Sequence, residues 1–315
     1  MVEIRAYQPG QDEAAVAALW RAALPAWPLS PALRRSLLAP DPSRSVLVAS
    51  VYGRLAGLVV AESHGEHSGS LPALAVAPEW QRRGIGAKLH AAALDFLRAQ
   101  GVGRVQLAGG HAFLWPGVPY SLPAALPFFQ AQGWRVAETS YDMVQHLGRY
   151  RTPAGVHERA QAQGVRIGLL AEHEAPELLA FVDREFPFWS ASYRLLVEKG
   201  EWADCLLART RDGAMAGSLI LYAPRYSRPE RQDVRWQSIW GEDLGAMGVV
   251  GVAESARRLG IGSALAARAS EILRERGVGY CYIAWTWALD FYGKLGYTVW
   301  QAYAMSWRDL HTGRS

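Results

Sequence analysis

Two short stretches carry the residue types that grip a phosphate. They are Gln81-Arg82-Arg83-Gly84-Ile85-Gly86-Ala87 and Arg257-Arg258-Leu259-Gly260-Ile261-Gly262-Ser263, with Gly84 and Gly260 lying 176 residues apart. Each follows an apolar, strand-like run, Leu74-Ala75-Val76 in one case and Val250-Gly251-Val252 in the other. Each also opens an Ala/Leu-rich stretch with helical spacing, Ala87 to Gln100 and Ser263 to Arg276. That order places the glycines at a helix N-terminus, where the first backbone N–H groups lack intrahelical partners and the helix dipole adds partial positive charge. An anion binds there favourably, glycine lets the backbone approach it, and arginine adds bidentate donors. Other phosphate loops fail on spacing: a mononucleotide loop needs Gly-Lys-Ser/Thr, and a dinucleotide turn needs a third glycine where Leu89 and Leu265 stand.

The elements around each motif repeat as well. Val2 to Tyr7 predicts a strand and Asp12 to Ala23 a helix with an acidic first turn, and Val165 to Leu169 with Glu174 to Phe186 predicts the same pair again. Strands are expected at Ser45 to Ser50 and Leu55 to Glu62, and at Asp204 to Arg209 and Ala216 to Tyr222. Turns at Tyr52-Gly53 and Asp212-Gly213 separate them. Each half ends on aromatic residues around a glycine, Phe128-Phe129 before Gly133-Trp134 and Phe291-Tyr292 before Gly296-Tyr297. Between the halves, Tyr150 to Gln163 carries Pro153, Gly155 and several charges, which suits a linker or linking helix. The expected domains are therefore 1–150 and 164–315, joined by 151–163. The second half inserts a polar and aromatic segment, Ala223 to Trp240, before its motif strand, an excursion typical of a functional loop.

At 315 residues and 50% hydrophobic content the chain can bury a core in each half. A net charge of +4 spread along the sequence lacks the basic arm of a nucleic-acid binder. No apolar run is long enough to span a bilayer, and Met1-Val2-Glu3-Ile4-Arg5 lacks a basic and apolar leader, so a cytoplasmic protein without membrane partners is expected. Cys205 and Cys281 sit in apolar surroundings without metal-ligand spacing, as free core thiols do. His64 and His67, near Glu62 and Glu66, lack a further ligand set with zinc spacing, so no metal is expected.

The pattern Gln/Arg-x-x-Gly-x-Gly, followed by the Phe-Tyr-x-x-x-Gly-Tyr of Phe291 to Tyr297, resembles the GNAT superfamily of acetyl-CoA-dependent N-acetyltransferases, once per half and over nearly the whole chain. The resemblance implies an α/β (α+β) fold of two tandem domains, each a splayed, mixed but mostly antiparallel sheet flanked by helices. It implies acetyl-CoA as cofactor, with the two loops on its diphosphate and the main chain of Val250 to Val252 on its pantetheine arm and thioester oxygen. Tyr292 stands where these enzymes commonly keep a tyrosine as general acid toward the CoA sulfur. The matching residue in the first half is Phe129, which has no proton to give, so that half is expected to be degenerate. Tyr120, in the loop Trp115 to Tyr120, is the alternative donor there.

Glu242 and Asp243 precede the second motif strand, where a carboxylate would take the amine's proton directly or through water; solvated loop acids are the alternative. Trp285 replaces an asparagine common in the family, and with Trp287 it would line an acceptor pocket or simply pack in the core. The Pro-Gly-Val-Pro loop and the Gly-Val-Val-Gly-Val and Ala-Trp-Thr strings are similar to those of tandem bacterial proteins associated with amino-sugar acetylation. Mycothiol synthases share the duplication. The expected partner is a small-molecule amine, with an amino sugar as the leading candidate, and the protein is expected to be a monomer or homodimer. A non-transferring acyl-CoA sensor, an acetyltransferase acting on a peptide amine, and a scaffold with glycine loops as plain turns remain as alternatives.

Overall fold

The computed structural model describes residues 1–65, 67–110, 114–228 and 235–310. The chain divides into two compact units, Met1–Ser140 with Gln301–Ser315, and Tyr141–Trp300. Along the first run β1 (Val2–Ala6), α1 (Glu13–Ala23), α2 (Pro31–Leu38), β2 (Arg44–Val51), β3 (Arg54–Ser63), β4 (Ser68–Val76), α3 (Ile85–Ala99), β5 (Arg104–Leu107), β6 (Val118–Pro119) and α4 (Ala125–Ala131). Then follow β7 (Glu138–His146), α5 (Val156–Ala162), β8 (Arg166–Leu169), α6 (Ala175–Glu185), α7 (Ser190–Glu198), β9 (Cys205–Arg209), β10 (Met215–Tyr222) and α8 (Gln237–Trp240). The chain closes with β11 (Leu244–Val252), α9 (Ile261–Glu275), β12 (Tyr280–Thr286), α10 (Leu289–Gly293), β13 (Thr298–Met305) and β14 (Trp307–Asp309).

Local sequence explains most of these boundaries. Val51 pairs with Arg54 across Tyr52 and Gly53, both at positive φ, the geometry of a two-residue hairpin turn. In α2 the Ser30 hydroxyl oxygen accepts from the Leu33 amide at 3.1 Å and Pro31 takes the first position, so this short helix is capped by local chemistry that its length hides from periodicity. The segment 151–163 carries α5 and lies in the second unit. The last residues of the chain belong to the first unit, because Tyr303 and Ala304 pair with Pro119 and Val118, and β14 pairs with β5. Among the described residues no helix is long and apolar enough to cross a membrane.

The first unit's sheet runs β1-β2-β3-β4-β5-β14, and in the second unit the order is β7-β12-β11-β10-β9-β8. All neighbouring pairs are antiparallel except β4 with β5 and β11 with β12, so both sheets are mixed and mostly antiparallel. Each parallel pair parts company early. β4 and β5 pair only as far as Leu71 and Leu107, although β4 continues to Val76, and β11 and β12 pair only as far as Ala246 and Tyr282, although β11 continues to Val252. Each sheet therefore splays just before its glycine loop. The motif helices cover the sheets with Ile85, Leu89, Ala93 and Leu97 in one unit and Ile261, Leu265, Ala269 and Leu273 in the other, all buried at helical spacing.

Candidate functional site

Both glycine loops have the same backbone. Arg82 and Arg258 hold φ of 60° and 70°, and Gly84 and Gly260, the N-cap residues of α3 and α9, hold 78° and 79°. This left-handed conformation favours glycine, and the first amides of each helix have no partner within the helix. Arg82, Arg257 and Arg258 are exposed beside those amides, as an anion would require. Arg83 instead lies over the Trp80 ring, its Cζ 4.9 Å from the centroid, and the Gln81 amide donates to the Val76 carbonyl at 2.9 Å. In the second unit α5 brings Arg159 against Gly260, its Cδ 3.1 Å from where a Cβ would stand. Nothing comes within 4 Å of the matching point at Gly84. Sequence reasoning noted charges in this linking segment but had no means to aim one of them at the loop.

The aromatic endings dock in register. A Cβ on Gly86 would meet Phe128 at 3.2 Å and one on Gly262 would meet Phe291 at 3.3 Å, so each aromatic pair is seated on the second glycine of its own loop. Phe129 and Tyr292 are thereby equivalent, and both are 7% exposed. Burial pushes the Tyr292 hydroxyl above its ordinary pKa, which keeps it protonated at neutral pH. Tyr297, one turn on, is satisfied by Ser270 at 2.8 Å, and its counterpart Trp134 donates to His90 Nε2 at 2.8 Å.

The strands feeding the loops differ. In the second unit β11 is buried from Leu244 to Met247, then exposed at Gly248 and half-buried at Val249, Val250 and Val252. Its register with β10 skips between Ser218 and Ile220, so Val249 and Val250 together oppose Leu219 in a bulge, with Val249 at φ 48°. In the first unit the bulge falls at Leu71 and Pro72, which are buried, as is Ala73. Gly110 lies over this point: a Cβ there would stand 2.6 Å from Pro72 and from Glu62 Oε2. Gly110, after β5, thus covers the bulge of the first splay, while among the described residues the bulge of the second keeps exposed surface from Gly248 to Val250.

Sequence-chosen acceptor-side residues divide. Trp285 is half-buried at a register skip of β12 against β7, with φ 52°, and its amide donates to Asp142 Oδ1 at 2.9 Å. The other oxygen of that buried carboxylate takes the Tyr282 hydroxyl at 2.6 Å, so Asp142 fixes the backbone turn that presents Trp285. Trp287 is 55% exposed. Asp142 and Tyr282 had no sequence signal beyond a strand-like setting. Glu242 and Asp243 are exposed at the start of β11, where the Asp243 carbonyl accepts from the Gly279 amide at 3.1 Å. Asp243 precedes Val249 by about 20 Å of extended strand, and the structure does not bring either acid to the bulge. Phe186, in the segment Phe186 to Trp189, packs its ring on Gly251, whose absent Cβ would stand 2.6 Å from it, whereas Phe188 is 97% exposed. The ring of His64 bonds Ser70 Oγ at 2.8 Å, and both cysteines are buried free thiols, Cys281 pushed up to about 12 by burial.

Comparison with known proteins matches these two regions. The model of the acetyltransferase (GNAT) family fits residues 13–133 and again 173–297. A solved fungal structure, described as a GCN5-related glucosamine N-acetyltransferase region in a multi-domain GH3 β-N-acetylglucosaminidase, is 31% identical over 98% of this chain with a TM-score of 0.89. This chain spans 38% of that one. A GCN5-related N-acetyltransferase from Sphaerobacter thermophilus shares 18% identity over 100% of this chain and 97% of its own, at a TM-score of 0.75. A tandem GNAT protein from the clavulanic acid biosynthesis pathway shares 16% over the whole of both chains, at 0.64, and these last two share the fold alone. No curated protein sequence matches the chain.

Proposed function

The chain belongs to the acetyltransferase (GNAT) family, and on that premise we propose that it is an acyltransferase whose second unit moves the acetyl group of acetyl-CoA onto the primary amine of a small molecule, an amino sugar of the glucosamine type. The observation that carries this is an asymmetry: both units keep the anion loop, but only the second joins it to an open splay and a buried tyrosine hydroxyl. The glucosamine acceptor is supported by the fungal relative, whose described region acetylates that sugar's amine.

The residues present fit a coenzyme A diphosphate, since the amides after Gly260 open α9 with the Arg159 stem against Gly260 and with exposed Arg257 and Arg258 just before it in the chain. When bound, acetyl-CoA supplies a thioester whose acetyl group an amine can take. The end of β11 from Gly248 to Val252, exposed or half-buried except at Gly251, would hold the pantetheine arm by its main chain and offer N–H groups to the thioester oxygen. Tyr292, held protonated by its surroundings, would hold a proton at its Oη for the departing sulfur. Trp285 and Trp287 offer flat apolar faces to a sugar ring. Glu242 or Asp243 would accept the ammonium proton only through a chain of water, given their distance along β11. The first unit is proposed to retain anion binding at Gln81 to Ala87 without turnover.

The test is a panel of amines with acetyl-CoA, followed by release of free thiol. Glucosamine should turn over ahead of aminoglycosides, polyamines and peptide N-termini. Thiol release with peptide N-termini alone would replace the amino-sugar acceptor, and saturable acetyl-CoA binding without any acetylated amine would leave the sensor.

A further inference from the structure

Tyr193, in α7, is fully buried, and its hydroxyl donates to the Val249 carbonyl at 3.1 Å while lying 2.8 Å from Ser218 Oγ. A phenol has one proton, so if it goes to Val249 the bond with Ser218 must run the other way, from the serine hydroxyl to the phenol oxygen. Ser218 belongs to β10, and it is the last residue paired with β11 before the bulge. The trans peptide between Val249 and Val250 is planar, so its N–H points opposite to its carbonyl. With the carbonyl drawn toward Tyr193 and β10, the Val250 amide faces the other side of β11, which is the gap left by β12 beyond Ala246 and Tyr282.

A left-handed φ at a β-branched residue is costly and persists only where its surroundings hold it. Tyr193 supplies the hold. In the first unit the corresponding pieces are apolar: the buried face of α2 is Leu33, Leu37 and Leu38, and the residue after Gly57, which matches Gly217 in register, is Leu58. No residue of β4 has a positive φ there.

We propose that Tyr193, oriented by Ser218, is a positioning residue that sets the Val249–Val250 peptide and so aims the Val250 N–H at the thioester carbonyl of bound acetyl-CoA. This rests on the acetyl-transfer function above but concerns a residue outside the cleft. Burial pushes the Tyr193 hydroxyl well above its ordinary pKa, so it remains a donor across the working range.

The test is infrared difference spectroscopy of acetyl-CoA labelled with carbon-13 at the thioester carbonyl, bound to the full chain. In the parent protein the carbonyl band should lie below its position in free acetyl-CoA. In Tyr193→Phe it should return toward the free position, with acetyl-CoA affinity within about 3-fold and kcat lowered about 10-fold or more, as for loss of an aimed oxyanion donor. Ser218→Ala should shift the band in the same direction by less, and it serves if Tyr193→Phe does not fold. A parent band that Tyr193→Phe or its substitute leaves unmoved overturns the positioning role alone. A parent that binds no acetyl-CoA, or whose bound band matches the free one, overturns the positioning role together with the acetyl-transfer site beneath it.

Discussion

Arg82 and Gly84 in one unit, and Arg258 and Gly260 in the other, adopt the same left-handed pair of turns, yet ten residues upstream the feeding strands diverge. In the first unit the bulge at Leu71 and Pro72 is buried under Gly110, and the residue after the aromatic seated on the loop is Phe129. In the second the bulge has moved to Val249 and Val250, a hydroxyl from Tyr193 holds its peptide, and the matching aromatic is Tyr292. A helix start with a left-handed glycine is the backbone an anion site needs, and both copies keep that backbone. Transfer needs an open vertex, an aimed amide and a proton donor at once, and the first copy lacks these together. On the proposed function, a duplicated fold would keep binding geometry in a copy without the chemistry, because the two depend on different residues.

The sharpest test of this contrast is Tyr292→Phe, which makes the second unit resemble the first. Turnover should fall about 100-fold to 10,000-fold, the span of a lost general acid, with acetyl-CoA affinity unchanged by titration calorimetry. The reciprocal Phe129→Tyr, added to Tyr292→Phe, should restore nothing, because Pro72 and Ala73 stay buried; recovered thiol release would show that the first vertex opens.

A second contrast lies in how each unit satisfies the aromatic after its closing glycine. Burial pushes His90 down from 6.5 to about 4, so the folded first unit holds the ring neutral, accepting from Trp134. Below pH 6.5 the unfolded chain takes up a proton that the folded unit refuses, so stability falls as pH drops from 6.5 toward about 4, by roughly 3 kcal/mol in all. Denaturant unfolding across that range should show the loss in the first unit, and His90→Gln should flatten it. The corresponding Ser270–Tyr297 pair does not titrate there.

Arg258→Ala should weaken acetyl-CoA binding by about 1.5 to 3 kcal/mol, the size of a lost charge-assisted contact. Arg82→Ala should leave turnover as it was and affect only a second binding event in calorimetry. The smallest effect is structural. Gly251→Ala would drive a Cβ to 2.6 Å from Phe186 and cost about 1 to 3 kcal/mol, read as a lower Tm. In the first unit the register position equivalent to Gly251 is Ala75, and the equivalent helix end is Leu24, which closes α1 at φ −134° and ψ 56° as Phe186 closes α6 at −142° and 56°. Adding Phe186→Leu to Gly251→Ala should therefore recover most of the loss.

The glycine loops, the helices they open and the Tyr52-Gly53 hairpin were legible because each is fixed by neighbours a few residues away. Tyr292 was legible through its spacing from Gly296. Tyr193, Asp142 and Arg159 were not, since a tyrosine, an aspartate and an arginine on amphipathic stretches look like core or surface until the chain brings them to Val249, Trp285 and Gly260. Glu242 and Asp243 stood out because acids before a motif strand are chemically apt, but an extended strand carries its first residues far from its last.

The order of local elements and the two anion loops follow from the sequence by itself, since capping, turn conformation and periodicity act over a few residues. Which splay stays open, where each bulge falls, and the membership of residues 301–310 in the first unit were decided by tertiary structure. Bulge position and strand pairing depend on side chains distant in sequence that compete for the same backbone groups, and only the folded chain settles that competition.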